Sequence, residues 1–158
     1  QDKEYMKIKV EIDESLSEEE VIIRCPALTE QITKIQQAVQ EVVSSAQRFV
    51  FYKGNTEYYL KLNEVLFFET GEQGIDVHTK NDIYQTKLKL YELEEILPGA
   101  FMRVSKSTIL NTHHVYSINR NLTASSVVSF SNTHKQVYVS RHYYKPLTSK
   151  LEEKRLRK

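Results

Sequence analysis

From residue 48 onward the chain runs in short strand-like stretches that turn residues separate, and this pattern constrains the fold more than any other feature. The first two stretches, 48–53 and 56–62, flank Gly54-Asn55, a two-residue hairpin signal. Further stretches follow at 64–70, 75–79, 83–88, 101–104, 108–111, 115–118, 123–131 and 136–140. Ten Tyr and six Phe, with only three Pro and four Gly, suit such a chain. The sequence therefore predicts a mainly β domain over residues 46–158.

Two short helices interrupt this pattern. Residues 89–97 place four apolar side chains on one helical face and stop at Pro98-Gly99. A C-terminal helix is predicted to begin at Pro146, since proline suits a first helical turn, and to end in the basic run 154–158. The expected fold is thus antiparallel strands with short helices.

Residues 1–45 have a different character. Residues 6–12 alternate perfectly and predict a strand, and 21–23 predict a second one. A helix is predicted from Pro26, with an apolar seam at spacings of three and four: Leu28, Ile32, Ile35, Val39, Val42 and Ala46. Two strands and one helix bury little apolar surface alone. This α+β extension is therefore predicted to dock on the rest of the chain or to pair with a second copy, as a dimerisation or regulatory element.

Charge is segregated along the chain. Residues 101–158 carry 11 basic residues and two acids, whereas residues 1–100 carry 11 basic residues and 19 acids. A positive surface of this extent favours a polyanionic partner, foremost the phosphate backbone of nucleic acid. The alternative is a solvated basic face without a ligand.

The residues of common catalytic and metal sites lack the necessary spacing. The four glycines form no phosphate-binding loop. His113 and His114 are adjacent, so in a strand they point to opposite faces, which is poor geometry for one ion. Cys25 has no nearby histidine and is expected to be a small buried side chain. We therefore expect no enzyme, no metal and no cofactor. Without a signal sequence or membrane span, a cytoplasmic protein is expected.

Four stretches together resemble the LytTR-type DNA-binding domain family. Residues 101–111 (Phe-Met-Arg-Val-Ser-Lys-Ser-Thr-Ile-Leu-Asn) are similar to its signature, and 65–70 are similar to its strand before a DNA-facing turn. Residues 90–98 resemble its helix before the signature, and 137–143 resemble its closing strand with a Ser-Arg element. The resemblance covers about residues 46–150. Residues 1–45 resemble the extension of stand-alone members that lack a receiver domain.

The resemblance implies an elongated assembly of small antiparallel sheets that reads double-stranded DNA with loops and bends it. Members act as bacterial transcription regulators, commonly in pairs on direct repeats, and this implies a homodimer. Some sit beside a membrane protein that restrains them, so a membrane-protein regulator is a further expected partner. The resemblance implies three DNA-facing groups: Gln73 and Gly74 with Ile75; Lys106 with Ser105 and Ser107; Arg141 with His142 and Lys145.

Elementary chemistry agrees with these positions. Lys106 stands between two small hydroxyl residues, which leaves room to approach a groove, and serine hydroxyls can donate to phosphate oxygens. Arg141 can form two hydrogen bonds to guanine in the major groove. Arg103 is a secondary candidate, because it can instead pair with an acid such as Glu69. Asn111 is expected to satisfy backbone groups at a turn.

Two other functions are open at this point. A β module that binds RNA would use the same basic third, although no aromatic stacking pair of that type stands out. A protein-interaction module would use the acidic N-terminal part to meet a basic partner. Fold analogy alone does not choose among these functions.

Overall fold

The structure is a computed structural model, and it describes residues 6–17, 19–46 and 48–156. Within these residues the fold is mainly β, as predicted. The strands are β1 Arg48–Lys53, β2 Thr56–Lys61, β3 Phe67–Gly71, β4 Gly74–His78, β5 Ile83–Thr86, β6 Phe101–Ser105, β7 Thr108–Asn111, β8 Val115–Asn119, β9 Ser126–Phe130 and β10 Gln136–Val139. The α-helices are α1 Glu30–Ala46, α2 Leu90–Ile96 and α3 Arg141–Leu156.

The strands form two antiparallel sheets. The larger sheet has seven strands in the order β2-β1-β5-β4-β3-β7-β6, and the smaller one has three in the order β10-β9-β8. Gly54 closes the β1–β2 hairpin with a φ of +59°, a conformation that glycine adopts without steric cost. The hairpin predicted at Gly54-Asn55 is confirmed.

Phe67 and Phe68 start two hydrophobic cores, because adjacent residues of a strand point to opposite faces. On one face Phe68 joins Phe51, Val77 and Ile109, and α2 covers them with Leu90 and Leu93. The other face carries Phe67, which joins a second set of buried residues: Leu66, Val104, Leu110, Val128, Phe130, Val137, Val139 and Leu147. This second core joins the small sheet and α3 to the large sheet.

A lysine joins the β9–β10 turn to the β4–β5 turn. The Lys135 ammonium donates to the carbonyl oxygens of Thr79 and Asp82, at 2.8 Å each. Its burial lowers the pKa of Lys135. Beside it the His78 ring stacks on Phe67, with ring centroids 4.2 Å apart. Burial first, and the Lys135 charge second, lower the pKa of His78 to about 4.

The two strands predicted in the N-terminal part are wrong for the single chain. Residues 6–12 and 21–23 contain no strand. The side chains of Ile8, Val10 and Ile12 are 91%, 86% and 88% exposed. A strand needs a neighbour for its backbone N–H and C=O groups, and none of the strands in the described residues pairs with these segments.

The predicted helix is present, but it begins at Glu30 and not at Pro26. Thr29 is the capping residue, since its hydroxyl accepts from the Ile32 N–H at 3.2 Å. Along the predicted seam Ile32 is buried, whereas Leu28 and Val42 are 73% and 67% exposed. Cys25, predicted to be buried, is exposed.

The chain forms two compact units, Gln1–Gln37 and Ala38–Lys158, and the sequence boundary between them falls within the residues of α1. The functional division at residues 45/46 stays a prediction. In the described part of the chain, no helix combines the length and apolar character needed to cross a membrane.

The C-terminal helix begins at Arg141, five residues before the predicted start at Pro146. Proline is therefore an interior residue of α3, where it removes one backbone donor. Leu147 is fully buried and anchors the helix in the second core. Residues 157 and 158 of the predicted basic run lie outside the described residues.

Candidate nucleic-acid interface

Two hairpin turns lie at the same end of the large sheet. One turn, Glu72-Gln73, connects β3 to β4, and the other, Lys106-Ser107, connects β6 to β7. Because β3 and β7 are antiparallel neighbours, the end of β3 lies beside the start of β7. The Thr70 N–H donates to the Ser107 carbonyl oxygen at 2.9 Å, which joins the two turns directly.

The start of α3 lies at this end as well. The Ser140 N–H donates to the Val104 carbonyl oxygen at 2.9 Å, one residue before Ser105. Arg141 follows Ser140 directly and opens α3. Three regions far apart in the sequence, around residues 73, 106 and 141, therefore meet at one end of the sheet. We call this set, Gln73, Gly74, Lys106, Arg141, His142 and Lys145, the loop face.

All members of the loop face are exposed. Three of them are basic residues, Lys106, Arg141 and Lys145, and each comes from the part of the chain with the strong positive balance. His142 packs edge-on against Tyr143, with centroids 5.0 Å apart. Exposed cations at one end of a rigid sheet can approach a polyanion without unfolding the protein.

The two serines beside Lys106 shape the turn. Both are half-buried, and the Ser105 hydroxyl accepts from the Ser107 N–H at 3.2 Å. The two hydroxyl oxygens lie 3.4 Å apart. Serine hydroxyls commonly hold turns by such local bonds. Here they fix the backbone from which the Lys106 side chain leaves.

Arg103 is engaged inside the protein. Its Nε donates to the Ser105 carbonyl at 2.8 Å, and one terminal nitrogen, Nη2, donates to the Lys106 carbonyl at 2.5 Å. The other, Nη1, pairs with Glu94 of α2 at 2.7 Å. The suggested partner Glu69 is wrong, because its carboxylate accepts from the Thr108 hydroxyl instead. Arg103 therefore stabilises the 105–107 turn, because two of its guanidinium nitrogens donate to backbone carbonyl groups there.

The 73–75 turn differs in part from its prediction. Gln73 and Gly74 are exposed, and Gly74 has a φ of +124°, which favours glycine. Ile75, however, is only 9% exposed and belongs to the first core. It cannot face a groove, because its side chain points into the sheet's covered face.

Two lysines beside this turn were missed in the sequence. Lys87 and Lys89 line an open cavity of about 690 Å³ together with Gln73 and Gly74. The Lys87 ammonium lies 4.5 Å from the centroid of the Tyr52 ring. Both lysines belong to the half of the chain with an acidic balance, which concealed them. Their signal was local, because Lys87-Leu88-Lys89 directly follows a strand.

The remaining polar candidates have structural partners. The buried Asn111 side chain donates to the Val65 carbonyl and accepts from the His113 N–H, at 3.0 Å each, as predicted for a turn residue. His113 pairs with Glu41, and His114 contacts the Asn63 carbonyl. Across the described ranges, no three His, Cys, Asp or Glu side chains come together as a metal site.

The sequence profile of the LytTr DNA-binding domain family matches residues 55–152, more than half of the chain. This chain belongs to the LytTR family. The match includes every residue of the loop face. The family resemblance inferred from four short stretches is therefore confirmed.

Relatives of this LytTR chain occur in Staphylococcus aureus. Proteins of strains NCTC 8325 and COL, both named uncharacterized HTH-type transcriptional regulators, are 27% identical over 146 residues. The alignments cover 92% of this chain and 98% of each relative. A solved LytTr DNA-binding domain from Bacillus cereus matches with a TM-score of 0.59 at 22% identity. That match covers 65% of this chain and 96% of the other, and it shows the shared fold.

The name of the relatives does not describe the fold seen here. A helix-turn-helix motif needs two successive helices joined by a short turn. Between residues 30 and 156, strands separate α1 from α2 and α2 from α3. In this LytTR chain the exposed groups at the loop face come from turns and from one helix start.

Proposed function

We propose that this protein is a bacterial transcription regulator that binds specific sites in double-stranded DNA through its loop face. It would act in the cytoplasm, where its DNA target lies. One observation carries the proposal: residues around 73, 106 and 141 converge at one end of the sheet and expose three cations there. Membership of the LytTR family supports the same partner.

The loop face divides naturally into contacts that position and contacts that specify. The planar guanidinium of Arg141 has paired N–H donors that suit guanine, and the Lys106 side chain projects from the 106–107 turn and ends in a single positive charge. Lys87 and Lys89 flank the Gln73 turn and are suited to phosphate oxygens. Such an arrangement reads adjacent grooves from one side of the duplex, and bending the DNA would bring the outer lysines into contact.

A direct test compares nucleic acids in competition. Labelled duplex carrying a site selected from random DNA is challenged with unlabelled duplex, with single-stranded RNA and with no competitor. We expect the unlabelled duplex to compete efficiently and the single-stranded RNA not to compete. Efficient competition by RNA would replace this proposal with an RNA-binding function, and no retention of any nucleic acid would favour a protein partner.

Salt dependence tests the electrostatic part. Each Lys or Arg at a phosphate releases condensed counterions, so affinity falls with salt. A handful of phosphate contacts predicts a log–log slope of about −4 to −7. A slope near zero would contradict a phosphate-binding surface.

The proposal extends to assembly and geometry. Two copies are proposed to bind adjacent direct repeats and to self-associate through residues 1–45, in which the apolar side chains that the structure describes are largely exposed. Sites with direct and inverted repeats, compared at equal spacing, test the repeat type. Mobility of permuted fragments with the site at the centre or the end tests the bend. A membrane-protein regulator is proposed from family resemblance alone, and purification of the tagged chain from solubilised cells tests it.

A further inference from the structure

Residues 6–13 have the sequence of a strand, but no strand among the described residues pairs with them. Met6, Ile8, Val10 and Ile12 alternate with charged residues, and Ile8, Val10 and Ile12 are 91%, 86% and 88% exposed. Aliphatic side chains of this size gain free energy when they leave water. A run of them on one side of an extended segment marks an interaction surface.

The charged residues of the same segment contain a self-complementary pattern. Lys7 and Lys9 precede Val10, and Glu11 and Asp13 follow it. Reversing the direction of the segment about Val10 therefore exchanges positive for negative positions. The Asp13 carboxylate accepts from the Ser15 N–H and hydroxyl, and these bonds lower the pKa of Asp13.

We propose that residues 6–13 pair with the same residues of a second copy as an antiparallel two-stranded ribbon centred on Val10. In this register Lys9 faces Glu11 of the other copy, and Lys7 faces its Asp13. On the opposite side Ile8 faces Ile12, and Val10 faces Val10. A two-fold axis repeats each charged pair, so four opposite-charge pairs form along one ribbon.

Neighbouring registers that keep the same side chains on each face are less favourable, because they place like charges opposite each other. Centring the ribbon on Lys9 places two Lys9 ammonium groups opposite each other, and centring it on Glu11 does the same with two carboxylates. A parallel in-register pair matches every charge with its own kind. Like charges directly opposite destabilise a sheet, so the pattern selects the Val10 register.

The ribbon needs a cover on its apolar side, because an isolated two-stranded ribbon is marginal in water. The same unit offers exposed apolar residues for this: Val21, Ile22 and Leu28, at 67%, 59% and 73% exposure. The inference rests on the self-association included in the proposed function. It names the segment, the register and the partner, a second copy of this chain.

Charge exchange in the full-length chain tests the register. Lys9→Glu alone and Glu11→Lys alone each create two like-charge pairs per dimer, and each is expected to weaken dimerisation roughly tenfold or more. An equimolar mixture of the two variants restores all opposite-charge pairs and is expected to form a heterodimer. The double variant Lys9→Glu/Glu11→Lys is expected to regain the homodimer. Sedimentation equilibrium measures each dissociation constant.

Glu19→Lys is the matched control, because it makes the same charge change outside the register on an exposed residue. Circular dichroism and binding to a single DNA site report the fold of each variant. A dimeric wild type whose single variants remain equally dimeric overturns the ribbon and leaves self-association standing. If each single variant is monomeric and the equimolar mixture forms no heterodimer, the proposal that residues 6–13 pair with a second copy is wrong. A monomeric wild type overturns the ribbon and the proposed homodimer together, while DNA binding is judged by its own assay.

Discussion

Strand β4 and the segment 6–12 both alternate apolar with polar residues, but only β4 forms a strand. In β4, Ile75 and Val77 are 9% and 0% exposed, and the strand has hydrogen-bonded neighbours on both sides. In the N-terminal segment, Ile8 and Val10 are 91% and 86% exposed and no strand forms. Alternation decides which face of a strand is apolar, whereas a neighbour decides whether a strand exists.

The largest expected effect uses the same substitution in both regions. Leu93→Ala removes a fully buried side chain of α2 from the first core and should lower the free energy of unfolding by about 2–5 kcal/mol. Leu28→Ala removes a side chain that is 73% exposed and should change it by less than about 0.5 kcal/mol. Urea unfolding under dilute, monomeric conditions measures both. Equal losses would mean that Leu28 is buried in the monomer in solution.

The sequence predicted residues 48–156, which contain the paired strands and are called the paired region, well because its signals there are local. Gly54-Asn55 fixes one hairpin, and the apolar face of residues 90–97 fixes a short helix. It failed at residues 6–12, since alternation carries no information about a partner. The sequence also predicted that α3 begins at Pro146, whereas Pro146 lies inside the helix. In sequence, a proline inside a helix cannot be told from a proline in its first turn.

The sequence nominated the residues of the loop face, whose role in DNA binding stays a prediction, but it did not give the contacts around them. Lys106 and Arg141 are exposed as expected. The Arg103 partner was misplaced, because Glu69 and Glu94 are both plausible in sequence and only the packing of α2 selects Glu94. Ile75 was placed in a turn, although the strand beginning at Gly74 already directs it into the core.

A second comparison asks which end of the paired region binds DNA. Lys106→Ala and Arg141→Ala should each weaken binding to a selected site by about 1–3 kcal/mol, or roughly five- to hundredfold. Lys80→Ala should not, because Lys80 lies in the β4–β5 turn at the other end of the sheet. Affinities for selected and scrambled duplexes at two salt concentrations separate base contacts from phosphate contacts.

Circular dichroism must first show an intact fold for each of these variants. A base contact lowers the ratio of specific to scrambled binding. A phosphate contact weakens both and flattens the salt slope by about one unit. Unchanged affinity in both Lys106→Ala and Arg141→Ala would move the DNA-binding surface away from the loop face.

The stability of the two regions should depend differently on pH, because residues 6–29 contain no histidine whereas the paired region contains His78. Burial lowers the pKa of His78 from 6.5 to about 4. Between these values the unfolded chain binds a proton that the folded chain does not, so stability falls as the pH drops through this window. Allowing for water around the half-buried ring, the loss should be about 1–2 kcal/mol.

Urea unfolding at several pH values between about 4 and 7, which span the window between the two pKa values of His78, measures this loss. His78→Phe keeps the stack on Phe67 and should remove most of the dependence. His134→Phe replaces an exposed histidine and is the matched control. If His78→Phe and the wild type show the same slope, another group causes the pH dependence.

The smallest expected effect concerns how Arg103 positions the turn that carries Lys106. Arg103 connects Glu94 of α2 to the carbonyl groups of Ser105 and Lys106. Glu94→Gln removes the charge of a half-exposed partner, so stability should change by less than about 1 kcal/mol. The ratio of specific to scrambled DNA binding should fall about two- to fivefold, or roughly 0.5–1 kcal/mol, because Arg103 loses the charged partner that holds it beside the Lys106 turn. The salt slope should stay unchanged, since Arg103 contacts no phosphate in this arrangement.

Two further variants separate positioning from charge. Arg103→Lys keeps the cation but cannot reach both carbonyls and Glu94 at once, so it should lower the same ratio at least as much as Glu94→Gln. Glu95→Gln makes the identical charge change one residue along α2, on an exposed side chain, and should leave the ratio unaltered. A salt slope that flattens in Arg103→Lys would instead assign Arg103 a direct phosphate contact. Equal ratios in all three variants and the wild type would show that the turn holds Lys106 without Arg103, through the Ser105 and Ser107 bonds alone.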